Sequence, residues 1–153
     1  MGRIEDDTDH LAKRLLGSYT IEAEIYQTLL NLAREQGAIL EAGDDIDRCA
    51  ALFSRKDELL RSITRLEAEI EPLKRQWWRE NAGLEARERL NGILDCILAT
   101  IEAIMDQEQR NEQLLLNRHA EVEADLAHVQ RGSAMHHTYA GDEPLPRFVD
   151  IRH

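Results

Sequence analysis

Nine apolar residues between Ile46 and Trp77 set the tightest limit on what this chain can fold into. Ile46, Cys49, Phe53, Leu60, Ile63, Leu66, Ile70, Leu73 and Trp77 recur at three- and four-residue steps, with one step of seven. That spacing puts them on one side of an α-helix, with Asp, Arg, Lys and Glu filling the other sides. Taken as one rod, the stretch Asp44–Trp78 would span roughly 50 Å at 1.5 Å per residue. A rod this long cannot bury its stripe against itself, so it must lie alongside others. The chain offers one on each side.

The first is expected over about 9–41, capped by Thr8 or Asp9 and seamed by Leu11, Leu15, Ile21, Ile25, Leu29, Leu32 and Ile39. Gly17-Ser18 is a soft spot that would loosen its first two turns. Glu41-Ala42-Gly43-Asp44 then ends one helix and starts the next. Gly43 suits the left-handed position after a helix, and Asp44 or Asp45 suits an N-cap. So short a connection makes consecutive helices antiparallel neighbours.

The second helix is expected over about 45–80, with Pro72 either kinking it or ending it; the stripe runs on through Leu73 to Trp77, which favours a kink. One indole of Trp77-Trp78 is expected to close the bundle end and the other to be exposed. Asn81-Ala82-Gly83 breaks the chain before a third helix over about 84–130. There Ile93, Leu94, Ile97, Leu98, Ile101, Ile104 and Met105 fall within an arc of roughly 140°, wide enough for two neighbours. Glu108, Asn111 and Glu112 interrupt the stripe, which resumes with Leu115, Val122, Leu126 and Val129, while Leu116 points elsewhere. The fold class is therefore all-α: three long helices in an antiparallel bundle over 1–130, followed by a flexible tail over 131–153. The third helix is expected to outrun the other two, its end projecting or packing on a second subunit. The tail contains His136-His137, Pro144 and Pro146, and its role is left open.

Charge narrows the function. The formal net charge of −11 leaves nothing to neutralise phosphates, which argues against nucleic acid and against anionic membranes. By segment it runs −4 over 1–41, −1 over 42–83 and −6 over 84–130, so the middle helix is the near-neutral partner of two acidic ones. No opening apolar run marks a signal peptide and none is long enough to span a membrane, so the expected location is cytoplasmic. Cys49 and Cys96 are both expected as buried free thiols on apolar helix sides.

Chemistry finds little support. Four histidines, His119, His128, His136 and His137, lack the spacing of a metal site, and the carboxylates form no marked acid/base pair. There is no glycine-rich phosphate loop and no nucleophile elbow. No enzyme, cofactor or metal is expected. What remains is apolar helix surface. Leu114, Leu115, Leu116, Val122 and Leu126 are either core or a groove for another protein's amphipathic helix.

Residues 29–67 carry a further signal. Glu41-Ala42-Gly43-Asp44 is followed by Leu52 and then by Lys56-Asp57-Glu58-Leu59-Leu60, and Asn111-Glu112-Gln113-Leu114-Leu115 lies in the third helix. In these features the chain resembles the FlgN family of flagellar export chaperones; Tyr139-Ala140-Gly141-Asp142 echoes the family's Tyr-Gly segment only loosely. The resemblance implies a cytoplasmic chaperone that binds the C-terminal helices of hook-associated subunits, prevents their early assembly and delivers them to the export apparatus. Partner contact is then expected at Leu114, Leu115, Leu116, Val122, Leu126 and Val129. The alternative is a coiled-coil adaptor that self-associates, as a homodimer, through the same stripe and holds no client.

Overall fold

The computed structural model describes residues 2–43, 45–80 and 83–140, with side chains described over 7–43, 45–80 and 83–132. Its elements are α1 (Gly2–Ala42), α2 (Ile46–Arg79) and α3 (Leu84–Ala140), with no strand among the described residues. The chain divides into two compact units, Met1–Leu114 and Leu115–His153. The first unit is an antiparallel three-helix bundle in which α1 packs against both α2 and the first half of α3.

The α1–α2 turn forms as its residue types require. Gly43 takes φ 78°, and its N–H donates to the Ile39 carbonyl at 3.0 Å. Asp45 is the N-cap, at φ 55°, and its carboxylate accepts the Arg48 N–H at 3.2 Å. Aspartate is among the few non-glycine residues that tolerate this left-handed conformation.

Burial on α2 follows a strict seven-residue step: Cys49, Lys56, Ile63, Ile70 and Trp77 are buried, and Leu52, Leu59, Leu66 and Leu73 half-buried. These are the a and d positions of a coiled-coil seam, narrower than the expected stripe. Ile46, Phe53 and Leu60, assigned to that stripe from spacing, are instead exposed. They sit one step beyond the seam, where a two-position contact does not reach. On α1 the same correction applies to Ile21, which is 51% exposed. The main core joins Leu11, Leu15 and Tyr19 of α1, Ile70 and Trp77 of α2, and Leu90 and Ile97 of α3. On α3 the contact is again narrower than the 140° arc, leaving Leu98 58% and Met105 65% exposed. Cys96, expected to be buried, is exposed, while Cys49 is buried. Trp77 seals the core and Trp78 faces solvent.

Helix ends differ from expectation at the start of α1 and at the end of α3. Helix α1 begins at Gly2, so Thr8 and Asp9 lie inside it and cap nothing. It runs unbroken through Gly17-Ser18, because Leu11, Ala12 and Leu15 are anchored in the core. Helix α2 continues through Pro72 to Arg79, so the proline does not end it. Pro72 lies on the exposed side of α2, where its ring meets solvent. Helix α3 passes residue 130 and reaches Ala140. Gly132 costs a helix only about 1 kcal/mol, and the strong breakers Pro144 and Pro146 come later. Of the expected tail, 141–153 lies outside the described residues.

Candidate partner-binding surface

Two polar groups are buried in the bundle. The first is a layer near the α1–α2 turn. Lys56 of α2 donates to Gln36 of α1 at 2.8 Å and pairs with Glu108 of α3. Gln36 donates in turn to the Cys49 carbonyl at 3.3 Å. Asn111 of α3 donates to the Ala33 carbonyl at 2.8 Å and accepts from Gln107 at 3.0 Å. Gly37 makes this approach feasible: a Cβ there would stand 2.6 Å from Gln107 Nε2 and 2.7 Å from Asn111 Oδ1. Polar seam positions of this kind set register, because a shifted pairing would strand buried donors. Glu108 and Asn111, read from sequence as interruptions of the stripe, are therefore its interlocking layer. The signal was present: Lys56 occupies one slot of the seven-residue series that ends at Trp77.

The second is Glu22, on α1 and 2% exposed, whose Oε2 has no hydrogen-bond partner among the described residues. Burial first, then the neighbouring Glu67 carboxylate, pushes its pKa to about 8, against the pull of Lys74. A protonated Glu22 can donate to Glu67, whereas an ionised one would be a buried charge without a donor. The Tyr19 and Tyr26 phenols are raised too, by burial and then by carboxylates including Glu22 and Glu67. Glu22 is buried in the bundle, while Glu67 is exposed.

The expected partner-binding residues separate into two sets. Leu114 is half-buried and lines a shallow groove of about 480 Å³ between α1 and α3, with Gly37, Ala38, Arg34 and Arg110. It belongs to the bundle. Leu115, Leu116, Val122, Leu126 and Val129 lie in the second unit and are exposed, Val122 by 50%. Four of them, Leu115, Val122, Leu126 and Val129, follow three- and four-residue steps once His119 is included. At 100° per residue they occupy an arc of about 80°, the width of a two-helix seam. Leu116 lies outside that arc. His119 sits within it and pairs with Glu123 at 3.1 Å, a polar position that the apolar pattern alone passes over. Among the described residues no three His, Cys, Asp or Glu side chains gather as metal ligands, and no helix is long and apolar enough to cross a membrane.

The family model for FlgN protein matches residues 1–143. The chain belongs to the FlgN family. Membership carries a general role as a flagellar export chaperone, in a family of chaperones rather than enzymes. No curated protein and no solved structure matches the chain.

Proposed function

We propose that this FlgN-family chaperone acts in the cytoplasm and binds the C-terminal amphipathic helices of hook-associated subunits along α3. The contact residues are Leu115, Val122, Leu126 and Val129, with Leu116 at the edge. Leu114, half-buried, lines the groove between α1 and α3 at the near end of this row. The observation that carries the reading is the exposed seam between Leu115 and Val129 in a chain of this family. An apolar stripe at these steps offers a partner helix anchors at i, i+3, i+4 and i+7. Covering it would keep the client's own stripe from pairing early with its neighbours, before the export apparatus takes the client over.

Titration calorimetry against C-terminal peptides of hook-associated subunits from the same organism tests this. Stoichiometric binding is expected, weakened at least about tenfold by Val122→Asp in a variant that keeps its helicity. No binding, together with helix melting that depends on protein concentration, would replace the reading with a self-associating adaptor.

A further inference from the structure

Of the exposed apolar side chains on the bundle that the α3 seam does not use, five form two rows. Ile46, Phe53 and Leu60 stand one heptad apart along α2, with Phe53 48% and Leu60 51% exposed. Leu98 and Met105 stand one heptad apart along α3, and both are exposed.

Lys56 shows how the two rows are placed. Its ammonium stands 5.2 Å from the centre of the Phe53 ring and pairs with Glu108 of α3. Phe53 therefore lies on the flank of α2 that turns toward α3, and Leu60, two turns on, shares that flank. Glu108 marks the flank of α3 that turns toward α2, and Met105 lies one turn before it. Because α2 and α3 run antiparallel, moving from Lys56 to Leu60 on α2 corresponds to moving from Glu108 back to Ile104 and Met105 on α3. The opposite flanks are occupied otherwise. Arg48 of α2 pairs with Glu35 of α1, and Gln107, Arg110 and Leu114 of α3 line the α1 side. Half-buried Leu94 and Ile101, packed on the core, supply the floor between the rows. The α2–α3 side of the bundle is thus a groove with an apolar floor and apolar walls.

Charge selects the occupant. Glu102 lies within one turn of both Leu98 and Met105, and Glu112 continues their row by one heptad. Neither has a cation within ion-pair distance among the described residues. On α2 the row from Phe53 and Leu60 ends at Glu67. A second copy would bring the same carboxylates against these, in a chain whose formal net charge is −11. A helix with basic flanks is attracted instead. Successive anchors one heptad apart are about 10.5 Å apart at 1.5 Å per residue, two helical turns of a partner.

We propose that the α2–α3 groove is a second docking site, which receives an amphipathic helix of a partner protein with lysine or arginine flanking its apolar stripe. The site is separate from the α3 seam and does not depend on the identity of the exported client.

The probe is a designed 18-residue helix with leucines at i, i+3, i+4, i+7 and i+11 and lysine flanks, titrated into the full chain; a twin with glutamate flanks serves as control. One lysine-flanked peptide per chain is expected at the groove. Its affinity falls at least about tenfold in Leu60→Asp and in Met105→Asp, and survives Val122→Asp. Raising salt weakens it, and the glutamate twin does not bind. Should an aspartate unfold the bundle, Leu60→Gln and Met105→Gln probe the same contact without adding charge. Unchanged binding in the groove variants, loss only in Val122→Asp, equal binding of the glutamate twin, or no binding at all would overturn the proposal. So would a wild-type dimer that Met105→Asp splits while peptide affinity stays the same. None of these outcomes touches the chaperone reading, which is tested by hook-associated peptides on Val122→Asp.

Discussion

At the scale of single residues, Glu22 is the side chain whose environment most departs from its chemistry. Its folded pKa of about 8 lies above the ordinary glutamate value of 4.5, so the folded state holds a proton that the unfolded state releases. The associated stability is fully present below about pH 4.5 and is lost as pH rises through about 8. Glu22→Gln keeps the donor and removes the titration. Chemical denaturation at pH 5 and pH 8.5 should show the wild type losing stability across that interval and the variant staying nearly flat. The variant is expected to gain roughly 1–3 kcal/mol at the higher pH. Gly37 reverses an ordinary rule. Alanine normally stabilises a helix by about 1 kcal/mol over glycine, yet here its Cβ would enter the Gln107–Asn111 pair. Gly37→Ala is therefore expected to destabilise by about 1–2 kcal/mol net, read from the denaturation midpoint. Amide exchange at Asn111 should quicken as its helix loses the bond to the Ala33 carbonyl.

At the scale of helices, α2 is the element whose sequence and structure agree most closely in period and least in breadth. The seven-residue series Cys49, Lys56, Ile63, Ile70 and Trp77 is visible in the chain, as is the turn at Gly43 and Asp45. Periodicity alone cannot tell the buried seam from its exposed shoulder. Phe53 and Leu60 lie only one position to the side of that seam, so they read as core. Pro72 lies well inside α2, which continues past it, and removes a backbone donor from an otherwise continuous ladder. Because the site is on the solvent side, Pro72→Ala needs no repacking. It should raise stability by about 1–3 kcal/mol, measured as a higher midpoint in urea with an unchanged slope. A fall in stability would mean that the bundle requires the geometry the proline imposes. The length of α3 was less legible. The expected end near residue 130 is passed because one glycine, Gly132, is a small cost against the helical preference of its neighbours.

At the scale of the whole molecule, an acidic bundle carries two sets of apolar positions that its own core leaves exposed. The seam at Leu115, Val122, Leu126 and Val129 belongs to the second unit, and the rows at Phe53, Leu60, Leu98 and Met105 belong to the first. Exposed apolar patches of this kind mark interaction surfaces in soluble chains. A double substitution separates their contributions. Val122→Asp combined with Met105→Asp should keep the helicity of the wild type, since both positions are at least half exposed. Binding of an 8-anilinonaphthalene-1-sulfonate dye should fall in each single variant and additively in the double one, as expected of independent patches. Dye binding that falls only in one variant would show that the other patch is already covered.

The sequence by itself determined the three helices, their antiparallel order, the Gly43–Asp45 turn, the acidic surface and the family. All of these rest on local conformational preference, on periodicity or on residue pattern, which are written along one chain. Tertiary structure alone decided which apolar residues became core. It sent Leu98, Met105, Phe53, Leu60 and Cys96 outward, and it drew Lys56, Gln36, Asn111 and Glu22 inward. A helix carries every side chain at a known angle, but the share of that circle which is buried depends on how many neighbours pack against it and from where. That is a property of the assembled helices, not of any one of them.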